Sequence, residues 1–365
     1  MRLRVEWQTK LIAMNKPEYQ IPTIKEIEKI KGTNGLNVAS FFSGCGGSCL
    51  GFEMAGYKIV SASEFVEEAQ NTYRLNHKGT PIDTRDIRDI TAKDVFELAG
   101  TDQIDVMEGS PPCASFSTAG KREKGWGQVN SYSDTEQRSD DLFLEFARVL
   151  ADVQPKVFVA ENVKGLVIGS AKGYFKLILQ RLKRCGYQVE ARVLDASYLG
   201  VPQARQRVIF VGVRNDLDMP PVFPKPFAYR YNLSEVIGSN PSFIDEETGK
   251  DLSFEKYAIY DEWVKLRNGE SSDKYFQLVR PFKNRPVPTL TAGGGNVGSA
   301  SITHPDYPRK FNLQELRLLS GFSADFELTG TFEQRYERIG RAVPPLMMKA
   351  IAESIQEGIF NGNPN

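Results

Sequence analysis

The chain has 365 residues, and at about 150 residues per domain this length suggests two domains. It carries 46 Lys and Arg against 46 Asp and Glu, and this zero formal net charge argues against a protein that coats nucleic acid indiscriminately, although a local basic groove remains compatible with it. A hydrophobic fraction of 41% excludes long disorder, collagen and coiled coil, and no apolar run approaches the ~20 residues that cross a bilayer.

The sequence also bounds the setting in which the protein works. Its N-terminus, MRLRVEWQTK, has no apolar core segment, so no secretory signal is predicted. The four cysteines and two histidines offer no zinc-binding set of familiar spacing, and no metal site is predicted. We therefore expect a reducing, cytoplasmic compartment.

Strand and helix patterns alternate from residue 36 onwards, after a polar stretch at 1–34 that is interpreted as an N-terminal extension. Alternation of this kind is typical of βαβ units and predicts an α/β fold with a mostly parallel sheet. The predicted strands cover 36–42, 57–63, 104–108, 157–160, 188–194 and 208–213, and the predicted helices cover 65–76, 91–99, 141–152 and 172–185. The loop before the last strand is too short for a crossover helix, so that strand is predicted to run antiparallel to its predecessor.

The composition of the chain and its strand–helix pattern change after residue 213. Residues 214–310 are rich in Pro, Gly, Tyr and Asn and show no clear alternation, which predicts a second, irregular domain. Helical patterns return at 312–357.

A glycine-rich turn with the sequence FFSGCGG follows the first strand. Its Gly44, Gly46 and Gly47 would let the backbone approach a ligand closely at the start of a helix. Glu64 ends the second strand and is placed to accept hydrogen bonds from ribose hydroxyls, and Asp86 is placed to hold the base edge of a nucleotide. Because the spacing is not GxGxxG, a nucleoside cofactor other than a dinucleotide is favoured. A plain tight turn is the alternative.

The loop GSPPCASFS presents Cys113 directly after the strand IDVME, where open α/β sheets place their chemistry. Two prolines stiffen this loop, so Cys113 is predicted to be a nucleophile, whose thiolate needs positive charge or hydrogen-bond donors nearby. The alternative, a buried structural cysteine, is assigned instead to Cys45, Cys49 and Cys185. The polar residues 119–138 that follow are interpreted as a lid or as an ordinary surface loop.

Two further motifs place charge near strand ends. PKVFVAENV presents Glu161 beside Asn162, and a carboxyl group that emerges from an apolar strand tends to have a raised pKa and to act as a proton donor. A helix cap or a structural acid is the alternative. In QARQR, Arg205 and Arg207 alternate onto one face, where two guanidiniums can clamp a phosphate or a base oxygen, unless they lie on a solvated edge strand.

Together these motifs resemble those of the cytosine-C5 DNA methyltransferases, in that family's order, from about residue 36 to 355. FFSGCGG resembles the first cofactor motif, GSPPCASFS the nucleophile loop, AENV the base-binding glutamate motif and QARQR the QxRxR motif. RKFNLQELRLLSGF is similar to the motif that organises the small domain, and IGRAVPP to the last motif, whose helix packs back on the cofactor.

The resemblance implies a two-domain enzyme. Residues 36–213 and 336–360 would form a Rossmann-like domain that binds S-adenosylmethionine, and 214–335 a smaller, irregular target-recognition domain across a cleft for double-stranded DNA. The residues that match the family's cofactor-binding positions are Phe42, Gly44, Gly46, Gly47, Glu64, Asp86, Ile87, Pro112, Leu142, Arg341, Ala342 and Val343.

The resemblance also implies a mechanism. The enzyme would flip the target cytosine out of the duplex, add Cys113 to C6 and transfer a methyl group to C5. Glu161 would hold N3 and the exocyclic amine, and Arg207 would contact the flipped base with Arg205 nearby. A monomeric, bacterial or phage-encoded enzyme of the restriction-modification type is expected.

Charge is segregated within the irregular region. Residues 243–273 hold nine acids and four bases, whereas 274–305 hold four bases and no acids. Phosphates favour the basic stretch, whose run TLTAGGGNVGS also has small residues that let backbone enter a groove. Charge reversals at Asp245 and Glu246 are expected to affect DNA affinity less than reversals at Lys283 and Arg285. The predicted DNA contacts are Lys274, Arg280, Lys283, Arg285, Thr289, Gly293 and Gly294.

Two positions depart from the family pattern. Ala114 stands where the family often has Gln, near the flipped base. Arg341 stands where the family usually has Asn, beside the methionine portion of the cofactor. Either Arg341 turns away and pairs with an acid, or it binds the carboxylate of carboxy-S-adenosylmethionine, so that the enzyme transfers a carboxymethyl group.

Three other functions fit parts of the sequence. The first is a cytosine-5 methyltransferase acting on RNA or tRNA, although the CFT signature of those relatives does not occur here. The second is a catalytically dead homologue that only binds partners, which the presence of Cys113 and Glu161 disfavours. The third is a nicotinamide or flavin enzyme, which the lack of GxGxxG disfavours.

Overall fold

The computed structural model describes residues 16–112, 130–132, 135–137, 141–168 and 171–362. Its helices are α1 (Ile24–Ile30), α2 (Gly47–Met54), α3 (Glu67–Asn76), α4 (Ala92–Ala99), α5 (Leu142–Val153), α6 (Lys172–Arg184), α7 (Leu233–Val236), α8 (Tyr260–Trp263), α9 (Leu313–Leu319), α10 (Phe332–Arg341) and α11 (Pro345–Ile355). Its strands are β1 (Asn37–Phe41), β2 (Lys58–Ser63), β3 (Ile82–Asp83), β4 (Val106–Gly109), β5 (Asn130–Tyr132), β6 (Thr135–Gln137), β7 (Val157–Val163), β8 (Tyr187–Asp195), β9 (Gln203–Ala204), β10 (Gln206–Arg214), β11 (Glu270–Ser271), β12 (Val279–Arg280) and β13 (Val287–Pro288). None of the helices in these ranges is long and apolar enough to cross a membrane.

A seven-stranded sheet organises the fold, in the order β3-β2-β1-β4-β7-β10-β8. The first five strands in this order run parallel, and β10 runs antiparallel to both of its neighbours. The prediction of a mostly parallel α/β sheet with an antiparallel last strand is therefore confirmed. The physical reason is connectivity, because only a short turn and β9 separate β8 from β10, and a parallel return needs a longer crossover.

Burial decides where two of the elements differ from the sequence expectation. β7 continues past residue 160 to Val163, because Glu161 and Asn162 stay buried within the sheet. The predicted helix ranges omit α2, although a helix was expected to start at the glycine turn, and its two glycines weaken helix propensity. It is nevertheless helical, and all eight of its residues are buried. Tertiary packing overrides local preference at this position.

Apolar side chains cover both faces of the sheet. Alternate residues of β7 point to opposite faces, so Val157 and Val159 join one core, while Phe158 and Ala160 join the other. The first core includes residues of α2 and α11, and the second includes residues of α5 and α6. Coverage of both faces explains why the strands read as continuous apolar runs in the sequence.

A third core joins the N-terminal segment to the C-terminal helices. α1 begins with a capping box between Thr23 and Glu26, and its Ile27 is buried in one cluster with residues of α2, α9 and α10. The hydroxyl of Tyr19 donates to the carbonyl oxygen of Leu318 at 2.6 Å. The part of the N-terminal extension that the structure describes thus packs against the rest of the chain. The predicted domain boundaries stay a prediction.

α2 and α11 pack so closely that Gly51 has no room for a side chain. A Cβ atom at Gly51 would lie 2.5 Å from the carbonyl oxygen of Pro345 and 2.6 Å from the Cβ of Met348. We predict that Gly51→Ala lowers the free energy of unfolding by about 1–3 kcal/mol, the usual cost of overpacking. Denaturant unfolding followed by circular dichroism measures this change.

The matched control is Gly173, in the first turn of α6, where an added Cβ would meet nothing within 4 Å. Gly173→Ala is expected to leave stability unchanged or to raise it by up to ~1 kcal/mol, because Ala favours a helix over Gly. Equal stabilities for the two variants would contradict the close packing of α2 on α11.

Candidate active site

A cavity of about 510 Å³ lies at the carboxyl ends of β1, β2, β4 and β7. Residues that follow or end these strands line it, as is usual for ligand sites in open α/β sheets. Other parts of its wall come from within 291–293 and 338–343. The sequence-predicted site residues that line it are Phe42, Gly44, Gly47, Glu64, Ile87, Pro112, Glu161, Arg205, Arg207, Gly293, Arg341, Ala342 and Val343.

The three predicted glycines of the first turn serve different purposes. Gly44 has a left-handed φ of 57°, lines the cavity, and an added Cβ there would meet nothing within 4 Å. A Cβ at Gly46 would lie 2.0 Å from Nε2 of His77, and one at Gly47 would lie 2.4 Å from the carbonyl oxygen of Val343. Gly44 therefore opens the backbone to a ligand, whereas the other two permit close packing within the protein.

Glu64 is buried at the edge of this cavity. Its carboxylate accepts hydrogen bonds from the backbone N–H groups of Gly44 and Val66, each at 2.7 Å. Burial raises the pKa of Glu64 above its usual value. Because each carboxylate oxygen accepts more than one hydrogen bond, the group keeps capacity for hydroxyl donors such as those of a ribose.

Besides Gly46, two predicted cofactor residues lie outside the cavity wall. Leu142, the first residue of α5, is fully buried in one core cluster with Phe146, because it lies on the apolar face of that helix. Asp86 caps the short turn at Ile87–Asp89, accepts from the backbone N–H of Arg88 at 3.0 Å and pairs with its Nη1 at 2.8 Å. Neither Leu142 nor Asp86 lines the cavity, whereas Ile87 does.

Glu161 lies at the end of β7 and points a largely buried carboxylate at the cavity. Its Oε1 accepts from Nε of Arg207 at 2.7 Å. Antiparallel pairing of β7 with β10 brings the two side chains together. Burial raises the pKa of Glu161 above its usual value, and the adjacent guanidinium of Arg207 opposes part of that rise. The pair is thus a proton-binding group with a fixed orientation.

The loop that precedes the predicted nucleophile reaches the same cavity. Ser110, Pro111 and Pro112 line it, and Nδ2 of Asn162 donates to the carbonyl oxygen of Pro111 at 3.1 Å. The strand that carries Glu161 therefore also holds the proline loop. Cys113 itself lies outside the described residues, as does the predicted lid apart from the strands β5 and β6.

Arg205 is a buried cross-link. Its Nη1 donates to the carbonyl oxygens of Gly340 at 3.0 Å and Leu290 at 3.3 Å, and its Nη2 donates to that of Arg341 at 3.3 Å. Only 2% of the side chain is exposed. These contacts assign Arg205 to positioning the cavity wall and do not support the predicted clamp on a phosphate.

Arg341 ends α10 and lines the cavity, with 32% of its side chain exposed. Its Nε lies 2.6 Å from Oε1 of Glu337, one helical turn earlier. Of the two outcomes predicted for this side chain, the structure shows the pairing with a nearby acid.

Some of the predicted DNA contacts are buried or half-buried and contact other parts of the protein, and the others lie on the surface. The guanidinium of Arg280 stacks 4.1 Å from the ring of Trp263 and donates to two backbone carbonyl oxygens, so it holds the protein together. Thr289 donates to the carbonyl oxygen of Ala204 at 2.9 Å, and a Cβ at Gly294 would lie 2.8 Å from a ring carbon of Tyr336. These interior contacts do not support a direct role in DNA binding.

The remaining candidates are on the surface. Lys274 and Arg285 are exposed, and Lys283 is exposed but paired with Asp306 at 3.1 Å. Gly293 lines the cavity.

The expectation that Asp245 lies on the acidic surface, where a charge reversal would serve as a comparison for DNA binding, is wrong. The side chain is buried, and its carboxylate accepts from the backbone N–H of Leu313 at 2.9 Å and from the hydroxyl of Thr248 at 2.7 Å. A charge reversal there would disturb folding, so the exposed Glu246 is the suitable acidic comparison for DNA binding.

Sequence reasoning missed a buried carboxyl beneath the glycine turn. Glu108, on β4, is 1% exposed and accepts a hydrogen bond from the hydroxyl of Ser40. Ser40 is in turn 2.8 Å from the hydroxyl of Ser43, which lines the cavity. Burial raises the pKa of Glu108 to about 7. A charged residue inside the apolar strand IDVME was the available signal.

The sequence analysis did not single out Gln277 and Arg338, which also line the cavity. Gln277 lies within the basic stretch 274–305, and Arg338 directly precedes the motif IGRAVPP. Among the described residues, no group of three or more His, Cys, Asp or Glu side chains is placed to hold a metal ion.

Comparison with known proteins gives the site a context. A family described as C-5 cytosine-specific DNA methylase matches residues 36–357. The chain is 29% identical over 334 residues to the Type II methyltransferase M1.HphI of Haemophilus parahaemolyticus, covering 88% of this chain and 86% of that protein. It is 32% identical over 341 residues to the Type II methyltransferase M.Bsp6I of Bacillus sp. strain RFL6, covering 89% and 100%.

Solved structures share the fold. A prophage-encoded DNA modification methyltransferase from E. coli superposes with a TM-score of 0.70 at 21% identity, covering 89% of this chain and 99% of that one. The Dnmt2 methyltransferase of S. pombe superposes with a TM-score of 0.62 at 19% identity, with the same coverage. At these identities the two structures speak for the fold alone.

Glu108 is predicted to make stability depend on pH. The folded protein holds a proton on this carboxyl up to about pH 7, whereas the unfolded chain releases it near the ordinary pKa of 4.5. Stability therefore falls as pH rises from 4.5 to 7, and this group adds no further change above pH 7. Glu108→Gln removes the effect, so the variant is expected to gain about 2–3 kcal/mol relative to the wild type between pH 5 and pH 8.

Denaturant unfolding of both proteins at the two pH values measures this difference. Glu97→Gln, at an exposed carboxylate on α4, is the control and should leave the pH dependence of the wild type unchanged. Parallel pH profiles for Glu108→Gln and the wild type would show that the carboxyl is not held protonated by the fold.

Proposed function

Because the chain belongs to the C-5 cytosine-specific DNA methylases, we propose that its cavity brings a flipped cytosine and S-adenosylmethionine together. The chain is a DNA cytosine-C5 methyltransferase, of a family that depends on S-adenosylmethionine. The observation that carries the proposal is the common wall, since Glu161 and Arg207 line the same cavity as Gly44 and Glu64.

The side of the cavity around Gly44 is proposed to hold the cofactor. An open approach to the backbone at Gly44 and the spare acceptor capacity of Glu64 fit a nucleoside. Ile87, Ala342 and Val343 add apolar wall in the same cavity. When bound, S-adenosylmethionine supplies a methyl group that its sulfonium makes electrophilic.

Cys113 is proposed to be the nucleophile, because the proline loop that precedes it reaches the cavity. Its thiolate forms a bond to C6 of cytosine, the C5–C6 electron pair moves towards C4, and N3 takes a proton. The enamine carbon C5 would then bond to the methyl group as the bond between that group and the sulfonium sulfur of S-adenosylmethionine breaks, with its electron pair staying on sulfur. A base removes the C5 proton, the C5–C6 double bond forms again, and the S–C6 bond breaks with its electron pair returning to sulfur.

Glu161 is proposed to supply the proton at N3. Its raised pKa favours the protonated form that such a transfer requires, and the proton returns to it when the double bond forms again. Arg207 fixes the orientation of the Glu161 carboxyl through the 2.7 Å contact. Its guanidinium also offsets the negative charge that this carboxyl acquires when it gives up its proton. Both groups therefore act on the base, whereas Arg205 positions the wall behind them.

The proposed substrate is double-stranded DNA, with extrusion of the target base before reaction. The relatives named above are Type II methyltransferases, which supports a role in restriction-modification. We propose a monomer that works in the cytoplasm of a bacterium or of a phage-infected cell. The family description names DNA and gives no support to the RNA or tRNA alternative.

Methyl transfer is favoured over carboxymethyl transfer. The 2.6 Å contact with Glu337 gives the guanidinium of Arg341 an anionic partner that belongs to the protein. A cofactor carboxylate would have to replace that partner, at the cost of leaving Glu337 unpaired at this contact. The alternative remains open to a direct test because Arg341 lines the cavity.

Loss of either proposed catalytic group is predicted to stop turnover without unfolding the protein. Cys113→Ser should lose methylation by orders of magnitude, and Glu161→Gln by about 10²–10⁴-fold, since the proton at N3 is lost. Tritium transfer from labelled S-adenosylmethionine to duplex DNA measures both. Cys185→Ser, at a half-buried cysteine outside the cavity wall, should keep wild-type activity. Near-normal methylation by Cys113→Ser would contradict the assignment.

The identity of the transferred group is predicted to be methyl. S-adenosylmethionine and carboxy-S-adenosylmethionine are offered in competition to the wild type and to Arg341→Asn, and modified bases are identified by mass spectrometry. We expect 5-methylcytosine from both proteins. Carboxymethylcytosine from the wild type that falls by roughly 10- to 150-fold in Arg341→Asn would instead establish a charge-assisted pair with the cofactor carboxylate.

A further inference from the structure

Phe276 is an aromatic side chain that the fold leaves in solvent. It is 86% exposed, whereas Val264, the next large hydrophobic residue in order of exposure among those described, is 51% exposed. An aromatic ring buries well over a hundred Å² when it finds a partner, so exposure on this scale forgoes a large gain. Exposed apolar surface of this kind commonly marks a contact with another molecule.

The exposed side chain of Phe276 lies in a loop that is held by hydrogen bonds. Phe276 lies in the segment that joins the antiparallel strands β11 and β12. Across this loop, the backbone N–H of Ser272 donates to the carbonyl oxygen of Leu278 at 2.9 Å, and that of Leu278 donates to Tyr275 at 2.7 Å. The hydroxyl of Ser272 also accepts from the N–H groups of Lys274 and Tyr275.

Apolar packing supports the loop from below. Leu278 is fully buried in a cluster with Trp263 and Phe254, and Tyr275 packs against the same cluster. The residues on both sides of Phe276 are therefore anchored, and its ring is presented by a rigid support.

The position of the loop relates Phe276 to the base-binding side of the cavity. Its neighbour Gln277 lines the cavity that also contains Glu161 and Arg207. Consecutive Cα atoms are only about 3.8 Å apart, so the backbone of Phe276 lies next to the cavity wall, which its side chain does not line. The exposed ammonium of Lys274, 5.2 Å from the ring of Tyr275, adds positive charge to the same loop.

We propose that Phe276 enters the DNA duplex and stacks in the space that the extruded cytosine leaves. The inference rests on the proposed function, because only a base taken out of the helix creates such a space next to the cavity. Extrusion removes the stacking of both neighbouring base pairs, and an aromatic face restores it without regard to sequence. Phenylalanine wedges between base steps are used in this way by proteins that distort DNA.

The alternatives differ in what they expect of the same side chain. If a second copy of the chain covers the ring, substitution of Phe276 changes the oligomeric state. If Gln277 fills the vacated space instead, Gln277→Ala and not Phe276→Ala weakens extrusion. Both outcomes would overturn the proposal.

The test compares Phe276→Ala, Phe276→Trp and the control Val264→Ala with the wild type on one duplex that carries 2-aminopurine directly beside the target cytosine. Stacking of this base on Phe276 should keep its fluorescence low in the wild-type complex. Phe276→Ala should raise that fluorescence and weaken duplex binding by about 5- to 150-fold, as expected from loss of one aromatic stacking contact. Phe276→Trp should restore binding, with quenching of the new indole on DNA addition.

Affinity for S-adenosylhomocysteine is measured for every variant, and none should change, which shows that each variant is folded and separates the DNA effect from the cofactor site. Val264→Ala should match the wild type in all measurements. If the wild type methylates DNA while Phe276→Ala binds and emits like the wild type, the wedge is refuted and the proposed function stands. If the wild type itself fails to methylate DNA, the proposed function is the part that fails.

Discussion

The close approach of the C-terminal backbone to the glycine turn is the constraint on which the rest of the site depends. A Cβ at Gly47 would lie 2.4 Å from the carbonyl oxygen of Val343, and one at Gly51 would lie 2.5 Å from that of Pro345. Two segments far apart in sequence thus meet with no side chain between them. This contact brings the end of α10 to the cavity, where it faces residues from the carboxyl ends of the parallel strands.

A buried guanidinium completes the same arrangement. Arg205 donates to carbonyl oxygens of Leu290, Gly340 and Arg341, and so joins the strand region of QARQR to two other parts of the wall. Its partner in the motif, Arg207, instead contacts Glu161. The two arginines of this motif therefore have different roles. Arg205 holds parts of the cavity wall together, and Arg207 orients Glu161, the group that would bind the base.

Much of the fold could be predicted from the sequence because its signals are local. Apolar runs marked the strands of the sheet, and the short connection before β10 indicated its reversed direction. The acids and glycines at strand ends were found for the same reason, since a parallel sheet collects them at one edge. Gly44, Glu64 and Glu161 all line the cavity as a result.

The remaining features depend on long-range packing, which no local pattern carries. Position 46 must be glycine because a side chain there would collide with the ring of His77. Leu142 lies in the core because it belongs to the apolar face of α5. Arg280 and Asp245 carry charges that suggested surface roles, yet each satisfies backbone groups inside the protein. Helical spacing allows Arg341 to pair with Glu337, four residues earlier. The sequence alone could not show whether Arg341 pairs with this residue or with a ligand.

In the proposed mechanism, one cavity presents a cysteine to a flipped cytosine. The most direct measurement is mass spectrometry of the peptide that becomes covalently attached to a duplex containing 5-fluorocytosine at the methylated position. Fluorine replaces the C5 hydrogen that the base removes as a proton, and a base cannot remove fluorine in this way. The C5–C6 double bond therefore does not form again, and the bond between sulfur and C6 persists. We expect a single adduct on Cys113 that requires S-adenosylmethionine and carries the transferred methyl group. An adduct on Cys45, Cys49 or Cys185, or none from an enzyme that methylates ordinary duplex, would contradict it.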